Sequence, residues 1–152
     1  MFYRPPLDHA GIRKRLYFNN CFVHPTWLMR ADVVRRFGSY SLNYPAAEDY
    51  ELMRRISPHV TLANLPDYLL DYRITGTGIS VSKRRRQLFD RLRIQLAFFE
   101  VGEWRAWAGV LVTIALFVVP MKWLTALKVE WRGAPPPVAS LAVNNGPKTP
   151  LS

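Results

Sequence analysis

The longest uncharged run of the chain, Ala106 to Met121, is sixteen residues long, and a stretch this apolar must leave water for a protein core or a bilayer. As a helix rising 1.5 Å per residue it covers about 24 Å, against a hydrocarbon core of ~30 Å, so it is marginal as a membrane span. Trp104, Trp107, Trp123 and Trp131 bracket it, with Arg105 on one side and Lys122, Lys128 and Arg132 on the other. Tryptophans and basic residues at both ends suit a helix seated at a bilayer surface, and Pro120 would kink it. Continuing to Leu127 gives 22 residues with one lysine, which leaves a single short span open. A buried helix covering a sheet is the plain alternative to membrane association.

Charge is distributed in the same sense. The net charge of +10 divides into +5 over residues 1–37, −2 over residues 38–80 and +7 over residues 81–152, so basic flanks enclose an acidic centre. Such flanks call for an anionic partner: phosphate, acidic lipid or nucleic acid. Nucleic acid is the weakest of these, because the basic residues adjoin a long apolar run instead of interleaving with aromatics, and no nucleic-acid motif occurs. The single cysteine, Cys21, cannot close an intrachain disulfide, and His9, His24 and His59 have no zinc-ligand spacing. Arg4, Asp8, Arg13, Lys14 and Arg15 interrupt the first twenty residues, so no cleavable secretory signal is expected and a reducing cytosol fits.

Between these flanks the pattern is that of a mixed α/β unit. A short helix is predicted over His9 to Leu16, a strand interrupted by Pro25 over Phe22 to Met29, and a helix over Ala31 to Phe37 that Gly38 terminates. A helix from about Glu48 to Ile56 stops before Ser57-Pro58, and Val60 to Ala63 and Tyr68 to Ile74 follow as strands. From Lys83 to about Phe99 a helix is predicted with Leu88, Leu92, Leu96 and Phe99 as its apolar stripe and a basic opposite side that includes Arg84 and Arg91. Gly133 to Ser152 holds five prolines and two glycines without a period and is expected to be a disordered tail.

Chemistry is most concentrated at Glu48-Asp49. Asp49 precedes Leu52, Met53 and Ile56 by three, four and seven residues, so its carboxylate leaves the helix on the apolar face, at the N-terminus. An acid in a first turn complements the helix dipole, which is one use for it. The other is as a general base that takes a proton from a substrate hydroxyl.

Asp49 belongs to an ordered series: Asn20, His24-Pro25-Thr26, Arg30, Phe37-Gly38-Ser39-Tyr40, Ala47-Glu48-Asp49-Tyr50-Glu51-Leu52, Ala63-Asn64-Leu65-Pro66 and Tyr72-Arg73. Together these resemble the acceptor-side half of family 2 glycosyltransferases, inverting enzymes with a GT-A fold that make bacterial polysaccharides and lipid-linked glycans. The resemblance covers roughly Leu7 to Leu96. It implies that Asp49 is the catalytic base, that Glu48 orients it or meets the acceptor, and that His24, Thr26 and Arg30 border the acceptor cleft. By residue type alone, His24 serves equally as a core histidine and Arg30 as half of a surface ion pair. The resemblance further implies that Arg73, Ser80, Arg84 and Gln87 lie near the donor phosphates, while Thr75 stands where the family commonly has a histidine. Lys83-Arg84-Arg85-Arg86 opens a helix with charge that opposes its dipole; a solvated helix start or a nearby anion accounts for it.

The family's donor-binding half, with the Asp-x-Asp pair that holds Mg²⁺ or Mn²⁺, has no counterpart: no Asp-x-Asp occurs in the 152 residues. The expected organisation is therefore a partial, Rossmann-like GT-A fold of the α/β class. Residues 1–80 form the acceptor-side half, 81–103 a basic amphipathic helix, 104–132 an apolar membrane-associated segment and 133–152 a Pro-rich tail. The chain is expected to begin mid-domain, as a fragment or as the partner of a separate donor-binding half. The expected function is sugar transfer from a nucleotide-sugar to a glycan or lipid-linked acceptor at the cytoplasmic face of the plasma membrane. A non-catalytic, membrane-associated remnant or interaction protein is the alternative.

Overall fold

A computed structural model describes residues 4–67, 70 and 84–118. Helix α1 (His9–Leu16) is capped by Asp8, whose carboxylate accepts from the Gly11 N–H at 2.7 Å. Helix α2 (Ala31–Phe37) carries Asp32 in its first turn and ends at Gly38, whose φ of 78° suits a residue without Cβ. Helix α3 (Glu48–Ile56) has three acids in its first turn and Arg54 and Arg55 in its last, the order the dipole favours. Helices α4 (Arg84–Ala97) and α5 (Trp104–Val118) follow. The predicted spans of the first three helices agree with these.

The core gathers Ile12 and Leu16 from α1, Cys21, Tyr50, Leu52, Met53 and Ile56 around α3, and Ile94 from α4. Tyr50 is fully buried, and its hydroxyl donates to the Leu16 carbonyl at 2.6 Å. From α4, the Gln95 amide donates to the carbonyls of Tyr17 at 3.0 Å and Phe18 at 3.2 Å. Arg54 is buried with its guanidinium 4.6 Å from the centre of the Tyr17 ring and donates to the Phe98 carbonyl at 2.7 Å.

Helices α4 and α5 form an antiparallel pair. Arg84 reaches the Leu116 carbonyl, Arg91 reaches the Thr113 hydroxyl, and Phe99 meets Trp107 edge to face. The buried side of α5 is Ala106, Gly109 and Thr113, at i, i+3 and i+7. A Cβ on Gly109 would collide with the Tyr17 carbonyl oxygen, so only glycine allows α5 this close to the end of α1. The opposite side exposes Trp104, Trp107, Leu111 and Val118. At fifteen residues α5 is about 22 Å long. No helix among the described residues is long and apolar enough to cross a membrane.

Three local expectations differ from the structure. Over Phe22 to Met29 the chain makes a 3-10 turn, His24–Thr26, in place of a strand. Pro25 has no N–H for a ladder, and the Thr26 hydroxyl instead bonds back to the Val23 carbonyl at 2.8 Å. Residues 60–63 are not a strand either. The Leu62 N–H donates to His9 Nδ1, and Asn64, two residues on, donates to the carbonyls of Leu7 and Pro6. On α4, Leu96 is exposed, while Asp90, Ile94 and Gln95 are buried beside Leu88, because the helix is gripped by α5 on one side and by α1 and α3 on another. Among the described residues no strand forms. The predicted strand at Tyr68 to Ile74 (Leu70 apart), the run beyond Val118 and the tail lie outside them.

Burial pushes the Tyr50 hydroxyl from its ordinary 10 up to about 12. The folded state thus holds this proton more tightly than the unfolded state does. Stability from this residue is complete below pH 10 and is lost as pH rises through 12, by about 3 kcal/mol for two units. Tyr50→Phe is expected to cost about 1–2 kcal/mol at pH 7 through the missing bond to Leu16. It should also flatten the alkaline decline between pH 10 and 12, measured by urea unfolding across pH. Cys21, raised to about 11 by burial, contributes equally to both proteins, so their difference isolates Tyr50.

Candidate active site

Asp49 stands in the first turn of α3, half-buried, with a donor on each oxygen. The Asn20 amide donates to Oδ2 at 2.9 Å, and the Tyr50 N–H donates to Oδ1 at 2.7 Å. Asn20 is itself oriented, because its Oδ1 accepts the Phe22 N–H at 3.1 Å and so turns its NH₂ toward the acid. A carboxylate has about four lone-pair positions, so both oxygens retain capacity for a substrate hydroxyl.

The acid opens into a cleft of about 320 Å³ between the N-terminal turn of α3 and one side of α4. Asn19, Asn20, Ala46 and Asp49 line one wall, and Arg84, Gln87 and Arg91 the other. The two walls are tied together by Asp90. It is completely buried and accepts the Ala46 N–H at 3.1 Å, with Arg86 and Arg93 at 3.4 and 3.5 Å. Burial, reinforced by the cation of Arg15, lowers the proton affinity of Arg91.

Beside α3, His24 Nε2 and the Tyr40 hydroxyl share a hydrogen bond of 2.7 Å. The Tyr40 hydroxyl is raised above its ordinary range by burial first and then by the negative charges of Asp49 and Glu48. His24 thus bonds a tyrosine that senses the charge of Asp49, and makes no hydrogen bond to the acid itself among the described residues. Glu48 makes no hydrogen bond or ion pair among the described residues. Thr26 and Arg30 fall elsewhere, on the rim of an open apolar groove of about 830 Å³ bordered by Trp27, Val33, Phe37 and Leu62. Arg30 pairs with Asp32 at 3.1 Å on the surface, the plainer of its two sequence readings.

Of the residues singled out in the sequence, the structure brings Asp49, Arg84 and Gln87 into one cleft; His24 borders it at one remove, and Thr26 and Arg30 do not join it. Arg73 and Ser80 lie outside the described residues. Arg91 and Asp90 were not singled out as site residues. Arg91 falls seven residues after Arg84, two helical turns along the same side of α4, and that spacing was the available signal.

A divalent metal does not fit the described part of this cleft. Its one carboxylate already has two donors and faces two arginines. Among the described residues no group of three or more His, Cys, Asp or Glu comes together.

Comparison with known proteins gives two partial matches. The O-antigen biosynthesis glycosyltransferase WbnJ of Escherichia coli is 40% identical over 70 residues, which cover 44% of this chain and 27% of that protein. An uncharacterized glycosyltransferase of Haemophilus influenzae is 35% identical over 79 residues, 51% of this chain and 24% of the relative. The chain spans about a quarter of the length of these curated relatives. Over about half its own length it is therefore similar to glycosyltransferases. No family model matches the chain, and no solved structure matches it.

Among the described residues Asn20 is the side chain that hydrogen-bonds the acid, beside the Tyr50 N–H. Asn20→Leu is expected to lose about 1–2 kcal/mol in urea unfolding, since it removes both the donor to Asp49 and the acceptor of the Phe22 N–H. Thr26→Ala, by contrast, should stay within about 1 kcal/mol, as its single bond is exposed.

Proposed function

We propose that this chain carries the acceptor-side part of a family 2, GT-A glycosyltransferase domain and transfers a sugar, with inversion, from a nucleotide-sugar to a lipid-linked or polysaccharide acceptor. The observation that supports this most is the shared cleft of Asp49, Arg84 and Gln87. Similarity to two glycosyltransferases supports the reaction class.

Asp49 acts as the general base. It takes the proton of the acceptor hydroxyl while that oxygen bonds to the anomeric carbon; the bond from that carbon to the phosphate oxygen breaks, and the nucleoside diphosphate leaves with the electron pair. A single in-line displacement inverts the anomeric centre. Asn20 holds the carboxylate in place through its NH₂ group. Arg84 and Gln87 stand on the opposite wall, where a leaving diphosphate needs donors. Arg73 and Ser80 belong to the same donor-phosphate assignment, and Glu48 and His24 to the acceptor side. The Asp-x-Asp half and its Mg²⁺ or Mn²⁺ come from further polypeptide.

With an Asp-x-Asp donor-binding half present, Asp49→Asn is expected to lower kcat by about 10²–10⁴-fold, the usual worth of a general base, with little change in melting temperature. Full transfer by the variant would remove Asp49 from the role. The alternative is a non-catalytic, membrane-associated remnant or interaction protein. Titration of the chain with uridine nucleotide-sugars and Mn²⁺ separates the two, since clear binding counts against a donor-less remnant.

The protein works at the cytoplasmic face of the plasma membrane, held there peripherally. The support is the outward side of α5, where Trp104, Trp107, Leu111 and Val118 are all more than half exposed, flanked by basic residues. Replacing Trp104 and Trp107 together by Ala should weaken sedimentation with phosphatidylglycerol-containing vesicles about tenfold or more. Unchanged sedimentation would place the contact elsewhere.

A further inference from the structure

Arg91 is the least compensated charge of the cleft. It is half-buried, and among the described residues no carboxylate lies within ion-pair distance of it. Its Nε donates to the Thr113 hydroxyl at 3.0 Å, and Thr113 is fully buried on α5. Its two terminal nitrogens make no hydrogen bond among the described residues. A guanidinium fixed at Nε by a neutral acceptor presents the remaining N–H groups as a planar fork, which matches two oxygens of one phosphate. A half-buried cation without a counter-charge is costly, and an anion in the cleft relieves that cost.

We propose that Arg91, positioned by Thr113, is an anion-binding group of this cleft and takes a phosphate or diphosphate of the substrate in the space it shares with Asp49. The sugar-transfer reading enters only in naming what carries that phosphate, a nucleotide donor or a phosphate-linked lipid acceptor. Thr113 acts through Arg91 and touches no substrate; it is a positioning residue. Gly109 belongs to the same device, since its close approach to Tyr17 seats α5 where Thr113 meets Arg91.

The test is calorimetric titration of the 152-residue protein with inorganic pyrophosphate. Arg91→Gln should weaken binding at least tenfold. Thr113→Val should weaken it several-fold and Thr113→Ser restore it, with melting temperatures recorded so that a purely structural effect is recognised. Asp49→Asn should bind as well or more tightly, since a like charge is removed. Equal affinity in wild type and Arg91→Gln, or no binding by wild type, overturns the proposal. If Arg91→Gln does not fold, the Nε–H resonance of Arg91 in the wild-type protein decides: a shift on adding pyrophosphate supports the site, and no shift overturns it. Displacement of pyrophosphate by UDP or by farnesyl diphosphate identifies the source, and displacement by neither refutes a substrate role. Pyrophosphate binding that depends on Arg91, in a protein whose transfer ignores Asp49, would sink the sugar-transfer mechanism and keep the anion site; the opposite pair of results would do the reverse.

Discussion

The carbonyls at the end of α1 and just beyond it have no partners within that helix, and the fold is organised around the side chains that reach them. Tyr50 from α3 takes the carbonyl of Leu16, and Gln95 from α4 takes those of Tyr17 and Phe18. Gly109 lets the backbone of α5 come against Tyr17. Three helices distant in sequence thus converge on one helix end. Other chain ends are treated alike: Arg55 donates to the carbonyls of Phe37 and Ser39 after α2, and Arg54 to Phe98 just past α4. Because buried carbonyls left unmade cost about 1–3 kcal/mol each, these contacts set the helix arrangement as much as apolar packing does.

That arrangement positions the cleft. Helix α3 cannot slide along its axis without breaking the Tyr50 bond, so its first turn, with Asp49, is fixed in place. Helix α4 is held at two points, by Gln95 near its end and by Asp90 at its middle, where the buried carboxylate grips the N–H of Ala46. The wall carrying Arg84, Gln87 and Arg91 therefore stands at a set width from the wall carrying Asn20 and Asp49. Groups attached to rigid elements in this way hold their geometry better than groups on loops.

Local signals in the sequence carried much of this and then stopped. The bounds of α2 and α3 follow from Gly38 and from Ser57-Pro58, features that act within a turn of where they stand, and the structure adds Asp8 as the cap of α1. Asp49 was visible because its spacing to Leu52, Met53 and Ile56 is also local. The inward side of α4 was not. A leucine stripe predicts burial when a helix has one neighbour, whereas α4 has several, so Asp90 and Gln95 go inside and Leu96 stays out. Their partners, Ala46 and Tyr17, lie 44 and 78 residues away, and no pattern in a window reveals such pairs. Arg30 is the converse case: the resemblance implies an acceptor-side place for it, while in the structure its nearest charge is Asp32, two residues on.

The charge of +10 takes on a different meaning once the arginines are located. Arg54, Arg55 and Arg93 are spent on carbonyls, aromatic rings and carboxylates inside the fold. They serve the fold as well as the charge, and those facing carboxylates are locally paired. Arg91 differs in kind, because among the described residues its only hydrogen bond is to a neutral hydroxyl, on Thr113. An anion entering the cleft would meet an oriented guanidinium in a partly enclosed site, where electrostatic attraction is stronger than at a wet surface. Local geometry, more than net charge, sets the kind of ligand this cleft favours.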